Sequence, residues 1–372
     1  MKIDNMEVYY VALPLIYPWR TAYGEDATIH SVLVRIFSGD QEGWGETTPF
    51  HAPTYSPETA SSAFFLITEI FGPFLVGREW GSAAALRDRL SIFKGNSFAK
   101  AGIEIAWWNL EAKIKRLPLH RLLGGKKTLV EAGQDFGVQD SIDMLLGNIE
   151  KAVQEGFKRI KLKARPGWDL DMLQAVRSAF PKMTFHIDCN SGYTLDHLPF
   201  FKEVDKLGLA MIEQPLFHDD LVEHAELQSH LDTPICLDES LKNVRDMHLA
   251  IKLKSCRYVN IKPGRVGGLQ NALEIHNLAR DNGIPAWVGG MLESGIGSGV
   301  NIELGTLDNF TYPGDLFPSE RFYVEELTEP AVRFAPGKLA FEPSKVPGIP
   351  YEPILERIEK RTVKKATVKR NA

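Results

Sequence analysis

The chain has no run of roughly 18 apolar residues, the length a helix needs to cross a bilayer, so no membrane span is expected. It has only three cysteines, Cys189, Cys236 and Cys256, and none stands in a CxxC pair. They offer no thiolate metal-site spacing and cannot all pair, so reduced, buried thiols in a cytoplasmic protein are the plain reading. Positive charge is not in excess either. The net charge is -5 and the sequence pI about 6.1, which argues against a nucleic-acid surface. The one basic run, from Arg357 to Arg370, reads as a frayed, solvated terminus rather than a nucleic-acid arm. The opening MKIDNMEVYYVALPL lacks the basic-then-apolar layout of a secretion signal, and its alternation suggests a first β-strand.

What is present is an ordinary globular composition, 44% hydrophobic and 24% charged, over 372 residues, enough for two domains. Up to about residue 125 the pattern is α+β. VLVRIF followed by GDQEGWGE reads as a hairpin, and SPETASSAFFLITEIFGPFL and FAKAGIEIAWWNLEAKIKR carry apolar residues at helical spacing. Ser56 is the expected N-cap of the first of these helices, with Pro57 at its first position. Phe64, Phe65 and Phe71 are either exposed cap aromatics, which would hint at a homo-oligomer, or part of buried helix packing. Gly124-Gly125 marks the boundary, and from about residue 128 short apolar runs alternate with amphipathic helices.

The last polar residues of five successive runs are Lys163, Asp188, Glu213, Asp238 and Lys262, spaced by 25, 25, 25 and 24 residues. One strand-helix unit fills each interval, so an ionisable group stands at the C-terminal end of every strand. In an open sheet these groups would form a row; in a barrel they meet at one mouth, where such folds place their chemistry. An α/β barrel is therefore expected.

Asp188, Glu213 and Asp238 would then gather three carboxylates. A hard divalent cation relieves their repulsion, and all-oxygen ligands suit magnesium, or manganese in its place, rather than zinc. The alternative is a lattice of salt bridges with the neighbouring lysines. Lys161 and Lys163, two apart on one strand, face the same way. Clustered ammonium groups near a dication are expected to lower each other's pKa and leave a neutral amine as general base. Lys163 is the expected base, Lys161 its tuning neighbour, and Lys262 reaches in from the far side.

The motifs KxK, D-x-N, E-Q-P, L-D-E-S, N-I-K-P-G-R-x-G-G and G-G-M-L-E-S-G-I-G, together with WGE, PTYSPET and YPGDLFPSERFY, resemble the o-succinylbenzoate synthase / N-acylamino acid racemase branch of the enolase superfamily. The resemblance implies a (β/α)7β barrel over residues 126–320. It also implies an α+β capping domain from 1–125 that the segment 321–372 completes. Asp188, Glu213 and Asp238 would bind Mg2+, and the substrate would be a small carboxylate. Lys163 would start the dehydration of 2-succinyl-6-hydroxy-2,4-cyclohexadiene-1-carboxylate to o-succinylbenzoate, a step of menaquinone synthesis, while Lys262 stabilises the enediolate. In a racemase of the branch the two lysines would serve one face of the α-carbon each.

Further expectations concern the walls. Asn190 shares the inward face of Asp188, and Glu239 pairs with a lysine or turns outward. The turn Gly289 to Gly295, with Gly290, Met291, Glu293 and Ser294, presents backbone N–H groups to a substrate carboxylate. Residues 19–26 read as a mobile loop with Trp19 or Tyr23 as a lid, and Tyr55 joins that wall. Arg265 either lowers the Lys262 pKa or is a surface charge. Asp135 stands where the branch usually carries a small residue such as serine. It would need a partner, for example Arg165 or Arg265, and it leaves open a cycloisomerase or a dipeptide epimerase with a cationic substrate. Arg165, Cys189 and Gly192 are further departures from the branch pattern. A binding scaffold without activity would have lost a ligand or a lysine, and none is missing.

Overall fold

A computed structural model describes residues 1–369. The period-two alternation of the first segment builds a sheet buried on both faces. In β1 (Asn5–Thr21), Met6, Val8 and Tyr10 face one core, while Tyr9, Val11 and Leu13 face another. Strand β2 (Gly24–Ser38) divides in the same way, with Val32, Val34 and Ile36 opposed to Ile29 and Leu33. Strand β3 (Gln41–Thr47) follows in a second hairpin. The outer face packs on the helices of the cap; the inner face shares a core with barrel residues such as Leu237, Val259 and Ile261.

Between cap and barrel runs the Ser97–Ile114 helix, with twelve of its eighteen residues buried. It comes so close to β3 that only glycine fits: a Cβ at Gly45 would stand 2.4 Å from the Gly102 carbonyl oxygen. Glu104 projects from this helix and accepts hydrogen bonds from the N–H groups of Leu269 and Gln270 (2.7 and 2.8 Å), so the cap caps a barrel helix.

The barrel strands run in chain order around one parallel sheet. After the short β4 (Val130–Glu131) come β5 (Gln134–Phe136), β6 (Arg159–Lys163), β7 (Thr184–Asp188), β8 (Ile212–Glu213), β9 (Ile235–Leu237), β10 (Tyr258–Ile261) and β11 (Ala286–Val288). A helix follows each from β5 onward, ending with Gly295–Leu304 after β11. Residues 310–315 close the ring. They bridge in parallel to Ala286 on one side and Ala132 on the other, and the Asp315 N–H donates to the Val288 carbonyl. This is an α/β barrel, as the spacing of ionisable residues predicts, in the (β/α)7β form with a separate antiparallel cap that the family resemblance implies. Two small antiparallel pairs follow the ring: β12 (Thr328–Glu329) with β14 (Glu352–Pro353), and β13 (Ala340–Phe341) with β4. No helix among the described residues is long and apolar enough to cross a membrane.

Two local expectations need correction. The basic tail is not frayed: β15 (Thr362–Lys369) pairs with β1 as the edge of the cap sheet, its lysines in solvent where charge discourages further pairing. Arg370 lies outside the described residues. The first cap helix starts at Ala60, not after Ser56. Thr59 is its N-cap, because only there does a hydroxyl reach the Ser62 N–H while the Ser62 hydroxyl serves the Thr59 N–H. Phe71 is buried in the cap core, Phe64 half-buried, and of the three only Phe65 is exposed.

The tight approach of β3 yields a test. Gly45→Ala should destabilise the fold by about 1–3 kcal/mol through overpacking against the helix backbone. Gly81→Ala, whose Cβ meets nothing within 4 Å, should stay within about 1 kcal/mol of the parent in urea unfolding.

Candidate active site

Register places the polar strand ends side by side. Lys163 of β6 is opposite Asp188 of β7, and Asp188 is opposite Glu213 of β8. Asp238 follows the end of β9 and Lys262 the end of β10. All five are buried. Gln214, the residue after Glu213, links two strand ends: its side-chain Oε1 accepts from the N–H groups of Asp238 and Ser240, at 3.0 and 3.1 Å.

Lysines stand among the carboxylates. The Lys161 Nζ lies 2.9 Å from oxygens of Asp188, Glu213 and Asp315. Lys163 Nζ donates to Asp188 Oδ2 (2.6 Å) and Asn190 Oδ1 (2.8 Å), and Asn190 in turn donates to Glu239 Oε1 (3.1 Å). Across the mouth, Lys262 Nζ donates to Asp238 Oδ2 at 2.8 Å and sits 4.7 Å above the Tyr55 ring. The Tyr55 hydroxyl donates to Asp238 Oδ1 (2.8 Å), which also pairs with Arg265.

These pairs bear on the charge of Lys161 and Lys262. Burial opposes the ammonium of Lys161, but Asp188, Asp315 and Glu213 outweigh it and hold its pKa well above the usual value. Lys262 is also raised: burial opposes its charge, while Tyr55, Glu213 and Glu239 more than compensate. Lys161 does push Lys262 down, but its other neighbours outweigh that repulsion. Burial, reinforced by Asp188, raises Glu213. Asp188 is lowered because Lys161 and Lys163 overcome the burial that works against its charge.

Among the described residues, no three Asp, Glu, His or Cys side chains stand as a ready metal-ligand group, since the lysines bridge the carboxylates. The donor set nevertheless suits a hard divalent cation. Asp188, Glu213 and Asp238 offer only oxygen, and Glu213 Oε2 is a buried oxygen without a hydrogen-bond partner.

The mouth cavity is small, about 50 Å³. Asp135, Lys161, Lys163, Asn190, Lys262, Gly290, Met291, Tyr55, Tyr23 and Trp19 line it as expected. Glu293 and Ser294 do not. The Glu293 carboxylate folds back onto the Met291 N–H (2.7 Å) and Asn301 (3.1 Å). Ser294 caps the Gly295–Leu304 helix and gives its hydroxyl to Glu46 of β3, at 2.6 Å. Residues 19–26 are not a loop but the paired tip of the β1–β2 hairpin, which Arg20 clamps to Asp140 at 2.6 Å. Arg265 is no surface charge: it is buried and bonded to the Leu241 and Asn260 carbonyls. Arg165 is exposed and does not pair with Asp135. The partner of Asp135 is Arg159, which also holds Asp315 at 2.7 Å.

Arg159, Asp315 and His186 are the interior residues that the spacing argument misses. Arg159 and His186 share strand parity with Lys161 and Asp188, so the two-residue rule already directs them inward. Asp315 lies 53 residues after Lys262, two further strand-helix intervals along.

The fold and this mouth define a class. Residues 145–356 match the family described as enolase C-terminal domain-like, and residues 5–124 match the mandelate racemase / muconate lactonizing enzyme N-terminal domain. The chain belongs to the enolase superfamily. Among its relatives, the N-succinylamino acid racemase of Thermus thermophilus is 43% identical, with 91% of each chain covered. The o-succinylbenzoate synthase of Geobacillus kaustophilus is 40% identical over 97% of this chain and 96% of the relative. A solved enolase-superfamily member from Listeria innocua superposes with a TM-score of 0.95 at 35% identity, covering all of both chains.

Glu46 joins the cap to the turn beside the cavity, and burial raises its pKa to about 7 even though Ser294 and the Gly297 N–H donate to it. Unfolded, a glutamate titrates near 4.5. Between these values the folded chain keeps a proton that the unfolded chain has released, so this residue's contribution to stability falls as pH rises and levels off above 7. Glu46→Gln should remove that slope, a difference of at most roughly 3 kcal/mol, read from urea midpoints at about pH 5 and about pH 7.5.

Proposed function

We propose that the protein is a magnesium-dependent cytoplasmic enzyme that removes the proton next to a carboxylate, and that its reaction is the o-succinylbenzoate synthase dehydration. The observation that carries this reading is the register of β6, β7 and β8, which aligns Lys163, Asp188 and Glu213, with Asp238 and Lys262 facing them. The o-succinylbenzoate synthases among its relatives, at 36–40% identity over most of the chain, support the substrate.

In this reading Asp188, Glu213 and Asp238 would hold Mg2+, and the ion would supply positive charge for the substrate carboxylate. Lys163 takes that proton, oriented by Asp188 and Asn190. Lys262, kept charged by its surroundings, faces the negative charge that develops on the substrate. The C–O bond to the ring hydroxyl breaks with the electrons the proton leaves behind, and the hydroxide departs as water with the proton that Lys163 took up, which returns the lysine to its starting state. The aromatic ring of o-succinylbenzoate forms. Trp19 and Tyr23 on the hairpin tip keep water from the site, and the hairpin must swing for so small a cavity to admit the substrate.

A second reaction has a specific basis. Lys163 and Lys262 reach the cavity from separate strands with separate carboxylate partners, as a two-base racemase of N-succinylamino acids needs. The Thermus thermophilus racemase at 43% identity supports it.

With Mg2+ and 2-succinyl-6-hydroxy-2,4-cyclohexadiene-1-carboxylate, the purified protein should form o-succinylbenzoate, and Lys163→Ala should lower kcat by roughly 10²–10⁴-fold with an unchanged circular dichroism spectrum. Full turnover by the variant would refute the base assignment, and no turnover by the parent would refute the lyase. For the racemase, α-proton exchange of N-succinyl amino acids in D2O should be seen with the parent. Lys163→Ala and Lys262→Ala should each abolish racemisation; racemisation that survives either change would sink the two-base reading.

A further inference from the structure

His186 has no part in the chemistry above. It stands on β7 two residues before Asp188, so it points into the barrel, deeper than the carboxylates, and it is fully buried. Its Nδ1 lies 3.0 Å from the Tyr312 hydroxyl, and its ring meets Trp287 edge-on with centroids 5.4 Å apart. Its Nε2 faces Glu213 Oε2 at 3.6 Å. Both of these atoms are buried and neither has a hydrogen-bond partner.

The rest of the Glu213 carboxylate is accounted for. Oε1 accepts from Asn260 Nδ2 at 3.1 Å. Lys161 Nζ is 2.9 Å from Oε2 but off the line a hydrogen bond requires; its aligned bond goes to Asp315 Oδ2. The imidazole is thus the remaining N–H that can be aimed at Oε2, an oxygen with two lone pairs, one of which stays free for a cation. At 3.6 Å the pair is about 0.5 Å longer than a hydrogen bond.

Ionised, as cation binding requires, Glu213 can only accept. Nε2 must then carry the proton, Nδ1 keeps its lone pair, and Tyr312 must donate to Nδ1. The opposite tautomer would set a lone pair against the carboxylate. We propose that His186 is a positioning residue for Glu213: its Nε2–H fixes the orientation of the carboxylate, and the Tyr312 hydroxyl fixes the imidazole tautomer. The inference rests on the reading of Glu213 as a metal ligand. It adds to that reading a column of side chains, Glu213, His186 and Tyr312, running from the ligand down the barrel.

Mn2+ affinity, measured by electron paramagnetic resonance, tests this without reference to turnover. His186→Leu should weaken Mn2+ binding by about 10–100-fold, the usual effect of removing a partner that orients a ligand. His186→Gln, whose amide keeps an N–H near the Nε2 position, should stay within about threefold of the parent. In the Mg2+-loaded protein, 15N shifts should show the His186 Nε2–H tautomer, and Tyr312→Phe should shift the population away from it. Leu and Gln variants that bind Mn2+ as tightly as each other, or an Nδ1–H tautomer in the loaded parent, would overturn the proposal. Asp188→Asn separates the two levels of argument. If it loses Mn2+ while His186→Leu does not, the positioning role fails and the metal site stands. If Asp188→Asn binds Mn2+ normally, the metal-site reading fails and takes the positioning role with it. His186→Gln and the tautomer measurement keep the proposal open to refutation should His186→Leu fail to fold.

Discussion

Ionised groups taken out of water must be paired, and nearly every feature of the barrel mouth follows from that requirement. Arg159, Lys161, Lys163, Lys262 and Arg265 are buried at one end of the barrel together with Asp135, Asp188, Glu213, Asp238 and Asp315. A charge stripped of water costs several kcal/mol unless its partners repay it. The repayment here is collective: Lys161 touches three carboxylates, and Asp238 is shared by Lys262, Arg265 and Tyr55. No one of these side chains can change its charge without disturbing the rest. That explains why Lys161 and Lys262 are raised where clustering of cations alone would have lowered them.

The same rule joins the cap to the barrel. Glu46, Glu104 and Glu326 are buried carboxylates whose partners are mainly N–H groups at the starts of barrel helices. Each satisfies donors that a helix start leaves unpaired. Since Glu46 and Glu104 come from the cap, the cap cannot pull away without exposing both ends of these bonds. The hairpin tip over the mouth is held differently, by the exposed Arg20–Asp140 pair and one bond from the Val138 N–H to the Arg20 carbonyl. Exposed pairs of this kind are worth little. The molecule is thus fastened firmly where it must hold shape and lightly where a substrate must enter.

Much of this is legible in the sequence because it is periodic. The strand-helix interval of about 25 residues exposes the barrel and five of its mouth residues, and two-residue parity sends Lys161 inward beside Lys163. The N-cap at Thr59 and the edge strand β15 are less visible. Ser56-Pro57 carries an equally good local signal, and a lysine-rich run looks the same whether it is frayed or lies on a sheet edge. Glu293 and Ser294 fall in a Gly-rich turn that does reach the cavity through Gly290 and Met291. Which of its side chains turn back into the fold depends on Glu46 and Asn301, distant in sequence.

The sequence by itself determined the architecture and the chemical inventory, since both are written in spacing: alternation for the strands, 25-residue steps for the barrel, and the residue types at each strand end. Only the tertiary structure decided the pairing. Asp135 had several cations it could have met; the pairing of β5 with β6 gave it Arg159, and closing the ring brought Asp315 round from the last stave. Arg265 could have been solvated, and the packing of Tyr55 from the cap made it a buried partner of Asp238. Electrostatic pairing acts over a few ångströms of space, and chain separation carries no record of it until the fold brings the groups together.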